Sequence, residues 1–296
     1  MKKRPVHLRR SWLFVGAADE TAIKASIVSE ADACIQEFED FCIPELREKA
    51  RKHTPELIDN WKSKGKLASV RINPLEHSDG LKDLEAAVRA GADAILLPKA
   101  NTDAQVSTLI RYVNELETEL GRPKNATEIV PNIEQAEGLM NAMAVLSDKV
   151  QVVASLIASE DMTVSLNASR LKNSPILNHV RERFHIICCA LNIISIDMRY
   201  TWTDDEGVKQ QSYLARDIGM ISKSTVNPDH CKIINDIFSP SEEQAYEAAE
   251  IVKVFERARE KGEGQVNFKG IRLEVPSFLN AKQICQRYDA LKHFET

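Results

Sequence analysis

Short apolar runs recur along the chain from Trp12 to Val226, and helical periodicity fills most of the intervals between them. The runs are WLFV (12–15), ACIQEF before Glu39 and Asp40, LASVRI through Arg71 to Asn73, AILL before Pro98 and Lys99, IVPNI before Glu134, VVASLIA before Glu160 and Asp161, IISIDM (193–198) and MISKSTV (220–226). Runs of this length, bounded by polar residues, suit strands buried on both faces. Helices are expected around 21–29 and near 46–64. Leu81, Leu84 and Val88 repeat at helical spacing before Gly91. Val106, Leu109, Ile110, Val113 and Leu116 do the same before Gly121-Arg122-Pro123, and Leu139, Met140, Met143 and Leu146 follow Glu134. Strands alternating with helices imply parallel pairing through right-handed crossovers. Eight strand candidates predict an α/β fold of the (β/α)₈ TIM barrel type.

Two stretches fit this pattern less well. Pro131 interrupts the fifth run, where it removes a ladder donor and marks a bulge beside the site. Residues 159–179 are polar and read as a long loop, which in a compact domain is usually functional or mobile. After Pro240 the character changes. Ser241 and Glu242-Glu243 open a helix with Ala245, Ala248, Ala249, Val252 and Phe255 on one face, broken at Gly262-Glu263-Gly264. A hairpin-like piece (266–275) and a final helix from Ser277 follow. The expected organisation is therefore a barrel catalytic domain over 1–240 and a small helical and hairpin extension over 241–296. The last ~30 residues are too few to fold alone, and the extension is expected to pack on the barrel or on a neighbouring subunit.

Composition narrows the function. The 296 residues, 43% hydrophobic and 28% charged, are those of a soluble globular protein. A net charge of −5 with scattered Lys and Arg argues against nucleic acid as a partner. No apolar stretch approaches the ~20 residues of a membrane span, and the basic start, Met1 to Arg10, lacks the features of a signal peptide. The six cysteines, 34, 42, 188, 189, 231 and 285, form no C-x-x-C and read as buried free thiols in a reducing compartment, so a cytoplasmic protein is expected. Rossmann, P-loop, H-E-x-x-H and G-x-S-x-G signatures are all missing. The dispersed histidines have no ligand spacing, and His230 reads as a surface loop residue.

The chemistry lies at the ends of the apolar runs. In a parallel barrel, residues just past the strands meet at one mouth. Glu134 and Asp161, at the ends of neighbouring strands, can hold one hard divalent cation such as Mg²⁺, which takes one or two carboxylates and keeps several waters. Alternatively each is a solvated acid favoured by a helix start. Arg71 suits a carboxylate ligand, or forms a structural ion pair with Glu39 or Asp40. Lys99 could be a Schiff-base lysine, a phosphate contact or a structural pair, and spacing does not rank these.

At these residues the chain resembles the citrate lyase beta subunit family, within the HpcH/HpaI aldolase group, over nearly its whole length. RRSWLFVGA is similar to that family's RRSxLFVPG opening, and EFED (37–40) to its DLED. VRIN (70–73), DLEAAVRAGADAILLPK (83–99), IEQAEGL (133–139) and SEDM (159–162) follow in order. GMISKSTVNPDH (219–230) resembles GxxGKxxIHPxQ, and FSPSEEQ (238–244) resembles FxPSxEE. The resemblance implies a barrel enzyme that breaks or forms a carbon–carbon bond in a 3-hydroxyacyl thioester. Citryl, malyl and citramalyl thioesters of coenzyme A or of an acyl carrier protein are the implied substrates. Carried over, Glu134 and Asp161 bind Mg²⁺, Arg71 grips the keto-acid carboxylate, and Glu39 and Asp40 support the metal waters and orient Arg71. Arg47 contacts the coenzyme phosphates, Lys99 and Asn227 contact substrate, and Glu274 is an acid or base often supplied by a neighbouring subunit. A homotrimer or a multiple of it is implied. The chain departs from the family at Gly16-Ala17, Glu37, Ala158-Ser159 and Glu274, which marks a divergent member with an altered acyl pocket. A thioesterase or synthase variant of the same enolate chemistry, or a non-catalytic thioester-binding subunit, are the alternatives.

Overall fold

Each apolar run forms a strand, giving β1 (Ser11–Gly16), β2 (Ala33–Glu37), β3 (Leu67–Arg71), β4 (Ala94–Leu97), β5 (Glu128–Ile133), β6 (Ala154–Ile157), β7 (Ile194–Tyr200) and β8 (Ser222–Thr225). Neighbours pair in parallel, and β8 returns to β1 to close an eight-stranded barrel. The computed structural model describes residues 3–263 and 266–295. Met1 of the basic start and Gly264 of the expected helix stop lie outside the described residues. Contacts divide the chain into two compact units, Met1–Asp236 and Ile237–Thr296.

Alternation along the strands decides what fills the barrel. Trp12 and Phe14 of β1, Ala33 and Ile35 of β2, Leu67 of β3, Leu96 of β4, Val130 of β5, Leu156 of β6 and Ile196 of β7 form one buried cluster. Because side chains on one face recur every second residue, the same inward rows continue to Glu37, Arg71, Asn132 and Glu134. Closely packed apolar layers thus fill the body of the barrel, and buried charge lies at its two ends: the pairs Arg9–Glu128 and Arg10–Asp32 where the strands begin, and the groups of the C-terminal mouth where they end.

The crossover helices are α1 (Glu20–Val28), α2 (Pro44–Ser63), α3 (Gly80–Arg89), α4 (Asp103–Glu119), α5 (Ala136–Leu146), α6 (Glu160–Ser165), α7 (Pro175–Ala190), α8 (Asp205–Asp217) and α9 (His230–Phe238). Local chemistry sets their ends. Asp19 caps α1 through the amides of Thr21 and Ala22, Thr102 and Gln105 form a capping box on α4, and Pro44 and Pro175 open α2 and α7. Gly91 ends α3 with φ +79°, as expected of a left-handed cap. None of the described helices is long and apolar enough to cross a membrane.

Several sequence expectations are corrected. Residues 159–179 are not one long loop: they hold α6 and the start of α7, because the acids opening SEDM begin a helix immediately after β6. Leu81, Met140 and Met143 are exposed, and α5 instead buries Leu139, Ala142, Val145 and Leu146. Ala249 is exposed as well. His230 is no surface loop residue. It is fully buried at the head of α9, its ring 6.0 Å from that of Tyr200 and its Nε2 3.6 Å from Asp205. All six cysteines are free, but Cys189 is exposed and Cys285 is half-buried.

Two irregularities shape the sheet. Ile129 pairs with Val152 but Asn132 with Leu156, so the β5–β6 register slips by one residue across Pro131, the carbonyl of which accepts from Ser155 Oγ at 2.7 Å. Asp197 pairs with Lys223 but Tyr200 with Thr225, so β7 carries a bulge. Before that bulge Asp197 faces the helices, where Arg181 Nε and Lys223 Nζ each reach it at 2.6 Å in a fully enclosed network.

In the second unit, α10 (Glu242–Glu260) opens with a capping box of Ser241 and Gln244. β9 (Val266–Phe268) and β10 (Ile271–Leu273) form an antiparallel hairpin, and α11 (Val275–Glu295) follows. Lys269 and Gly270 both have positive φ, as the two-residue turn matching strand twist requires. Phe255, Ala258, Val266 and Leu273 form its core, with Phe278 stacked on Phe255 at 4.8 Å.

Candidate active site

Arg71 ends β3 inside the mouth, 2% exposed, and meets a carboxylate on every side. Its Nε donates to Glu37 Oε1 at 2.9 Å, Nη1 to Glu134 Oε1 at 3.2 Å and Nη2 to Asp40 Oδ2 at 2.7 Å. Nη1 also lies 3.2 Å from Glu39 Oε2. Burial works against its charge, but Glu37, Glu134 and Glu39 hold its proton far more firmly than usual. Arg71 thus forms the ion pairs with Glu39 and Asp40 that its position allowed, and adds Glu37 and Glu134 to them.

The supporting parts come from consecutive strand ends. Glu37, the last residue of β2, also accepts the backbone amides of Glu39 and Phe41, each at 2.7 Å, and so folds the β2–α2 loop back over Arg71. Lys99 follows Pro98 with φ 49°, a left-handed conformation uncommon outside glycine, and its ammonium donates to Glu39 Oε1 at 2.6 Å. Burial lowers the Lys99 pKa, but the bond to Glu39 prevails and the ammonium is held above its ordinary range. That favours the ion-pair reading over a Schiff-base amine, which needs the opposite shift. Glu39 itself is pushed up by burial, while Asp40 is held low because Arg71 outweighs its burial.

Glu134 is wholly buried just past β5. Its Oε1 accepts from Arg71 and from Asn132 Nδ2, the latter at 3.2 Å. Its Oε2 is buried without any hydrogen-bond partner. Burial, reinforced by the charges of Glu39 and Asp161 against the pull of Arg71, pushes the Glu134 carboxyl up to about 7. Asp161 stands in the first turn of α6, and its charge is felt by both Glu134 and Lys99. Five carboxylates, Glu37, Glu39, Asp40, Glu134 and Asp161, thus surround two paired cations, Arg71 and Lys99. An excess of hard, anionic oxygen, with Glu134 Oε2 and Glu39 Oε2 buried and not hydrogen-bonded, is the donor chemistry of a divalent cation. Among the described residues no group of three or more His, Cys, Asp or Glu side chains is placed to hold a metal.

Two expected site residues spend their side-chain bonds mainly outside this cluster, and a third belongs to the second unit. Arg47, in the first turn of α2, is buried. It donates to Asp79 at 3.0 Å and to the carbonyls of Cys42 and Glu39, bracing the loop rather than facing the mouth. Asn227, after β8, spends its side-chain oxygen on the amide of Asp229 at 3.0 Å. Glu274 is exposed between β10 and α11, in the second unit. Conversely, the sequence assigned no role to Glu37, Asn132 or Arg199. Alternation from Glu134 pointed to Asn132, and the EFED motif to Glu37.

An eight-stranded parallel barrel with arginine and carboxylates gathered at its C-terminal mouth is the frame of a barrel enzyme acting on an anionic substrate. The family model "HpcH/HpaI aldolase/citrate lyase" matches residues 10–228, and the chain belongs to that family. It is 27% identical over 284 residues to the citrate lyase subunit beta of Leuconostoc mesenteroides subsp. cremoris, covering 96% of this chain and 94% of that one. It is 25% identical to the L-malyl-CoA/beta-methylmalyl-CoA lyase of Rhodobacter capsulatus, covering 97% of each. In fold it is similar to the protein CitE of Mycobacterium tuberculosis, solved in complex with magnesium, acetoacetate and coenzyme A, with a TM-score of 0.74, 22% identity and coverage of 95% of this chain and 98% of that one.

Proposed function

We propose that the chain is a Mg²⁺-dependent carbon–carbon lyase that cleaves a 3-hydroxyacyl thioester of coenzyme A, of the citryl, malyl or citramalyl type, to an acyl thioester and a keto acid. The carrying observation is the partnerless, buried Glu134 Oε2 beside Asp161 and Arg71. Relatives named as citrate, malyl-CoA and citramalyl-CoA lyases support the reaction class. Structural neighbours solved with magnesium support the metal.

Glu134 and Asp161 would hold the cation, and with only two carboxylates from the chain its other positions are left to water and substrate oxygens. When bound, it would act as a Lewis acid on the oxygens where charge develops. The remaining work falls to side chains. Engaging Glu134 elsewhere loosens the hold on Nη1 of Arg71, which then donates to the carboxylate of the keto-acid half. Glu39 and Asp40 keep the guanidinium in register and accept hydrogen bonds from waters at the mouth. Lys99, fixed on Glu39, adds positive charge where the enolate forms, which preorganised cations stabilise. Glu274, exposed at the head of α11, is assigned as the acid or base for the carbon end of the enolate, delivered by a neighbouring subunit. Arg47 is assigned to the coenzyme phosphates and Asn227 to substrate. Each must exchange a present partner to serve. The second unit is read as the extension that completes a homotrimer, or a multiple of it, in the cytoplasm.

The test is incubation with malyl-CoA, citramalyl-CoA and citryl-CoA, with Mg²⁺ and with chelator, followed by mass spectrometry. A metal-dependent acyl-CoA and a keto acid are expected, with turnover lost in Glu134→Gln and Asp161→Asn while circular dichroism stays unchanged. Free coenzyme A among the products would point to hydrolysis instead. Full turnover in both variants would remove the metal assignment.

A further inference from the structure

One charged group at the mouth has no part in the scheme above. Strand alternation, which puts Ile196 in the barrel core and Asp197 against the helices, would place Arg199 on the outside with Asp197. The bulge prevents this. Between Asp197 and Tyr200 the pairing of β7 with β8 slips by one residue, and an inserted residue reverses the side that later residues take. Tyr200 accordingly turns outward, its hydroxyl donating to Asp204 at 2.7 Å. The Arg199 guanidinium turns in, 5.8 Å from the Phe14 ring centre and 5.2 Å from that of Phe41.

Arg71 lies 5.2 Å from the same Phe14 ring, so two guanidiniums stand around one aromatic side chain at the mouth. Their situations are opposite. Arg71 is bonded to carboxylates through all three of its nitrogens. Arg199 Nε is buried with no hydrogen-bond partner, and among the described residues its guanidinium enters no ion pair. Asp40 and Glu160 act on it only through longer-range charge. Arg199 also lines a cavity of about 30 Å³ together with Ser159, and the Ser159 Oγ is likewise buried and unpartnered. That is room for about one water or one small polar group. Contact with aromatic faces does not replace a hydrogen bond missing from a buried charged donor. The group that best satisfies a planar guanidinium is a carboxylate.

We infer that Arg199 is a specificity-determining residue that receives a second carboxylate, carried on the keto-acid half of the substrate, while Arg71 receives the first. Resting on the lyase reading, this selects a substrate with a carboxymethyl group on the hydroxyl carbon, the citryl type, over its methyl counterpart, the citramalyl type. The two differ by that one carboxylate, so their comparison isolates the contact.

The experiment measures kcat and KM for citryl-CoA and citramalyl-CoA with the full-length protein and with Arg199→Met and Arg199→Lys. The wild type is expected to prefer citryl-CoA. Arg199→Met should lower the citryl-to-citramalyl ratio of kcat/KM by about 10- to 100-fold, chiefly through KM, and Arg199→Lys should restore part of it. A ratio unchanged in both variants overturns the inference and leaves the lyase reading standing. If the wild type turns over neither thioester, calorimetry with malate and lactate in Mg²⁺ decides the role of Arg199, and the lyase reading falls only if malyl-CoA is not cleaved either. Tighter binding of malate, abolished in Arg199→Met, upholds the carboxylate contact. An equal preference in wild type and variant overturns it.

Discussion

Residue by residue, the molecule sorts its buried charges into two kinds. The Arg181–Asp197–Lys223 group lies on the helix side of the sheet and is closed: one carboxylate, two cations and bonds of 2.6 Å. The Arg71 group is open, with more carboxylates than cations and with Glu39 Oε2 and Glu134 Oε2 both buried without a hydrogen-bond partner. The first kind serves the fold. Burial raises the Asp197 pKa, but Arg181 and Lys223 outweigh it and hold the carboxyl below its usual range. A group with a lowered folded pKa contributes its full stability above the unfolded value near 4, and loses it as pH falls through the folded one. Asp197→Asn strands two buried cations, so urea unfolding should show a loss of about 3–5 kcal/mol at pH 7. The gap should narrow as pH falls below 4, because the unfolded wild type takes up a proton there that the folded carboxylate resists. A change under about 1 kcal/mol at pH 7 would mean that the network is not what holds β7 to α7.

At the scale of elements, the loop after β3 is held by chemistry outside the Arg71 cluster. Asp83, in the first turn of α3, accepts from the amide and the side chain of Asn73, and Asn73 in turn donates to the carbonyl of Phe38. The β3–α3 connection is thereby tied to the end of β2, next to Glu39 and Asp40. Gly80 opens α3 so close to the preceding turn that an added Cβ would stand 2.2 Å from the Pro74 carbonyl oxygen. Gly80→Ala must displace backbone, and a loss of about 2 kcal/mol or more is expected. It should be read as a lowered Tm together with a raised KM, since the loop positions Asn73 and, through it, the neighbourhood of Arg71. An unchanged Tm would show that the turn yields at no cost.

At the scale of the whole molecule, barrel closure is what makes a site. Glu39, Arg71, Lys99, Glu134 and Asp161 span more than a third of the chain, yet they stand on successive strand ends or the loops that follow and so face one mouth. The second unit has only a small core around Phe255 and Leu273, and so few residues seldom sustain a fold alone. If the chain forms the homotrimer proposed above, sedimentation equilibrium of the full chain should give a mass three times the 33.2 kDa protomer, or a multiple of that. A stable monomer with full activity would remove the trimer and the delivery of Glu274 from a neighbour.

The apolar runs and helical spacings by themselves determined the strand order, the parallel pairing and the barrel, because buried parallel strands carry a dense local signal. They also placed Arg71, Glu134 and Asp161 at the mouth, since a strand-end position fixes a side chain's layer, but not Glu37 or Arg199. Tertiary structure alone decided the partners. That Arg71 binds four carboxylates, that Lys99 pairs with Glu39, that Arg47 is spent on Asp79 and that His230 is buried all depend on neighbours distant in sequence. Arg199 is the clearest case. Strict alternation from Asp197 puts it outside the barrel, and a single extra residue in β7, set by how two strands meet, turns it in. Periodicity is a property of one strand, whereas register is a property of a pair.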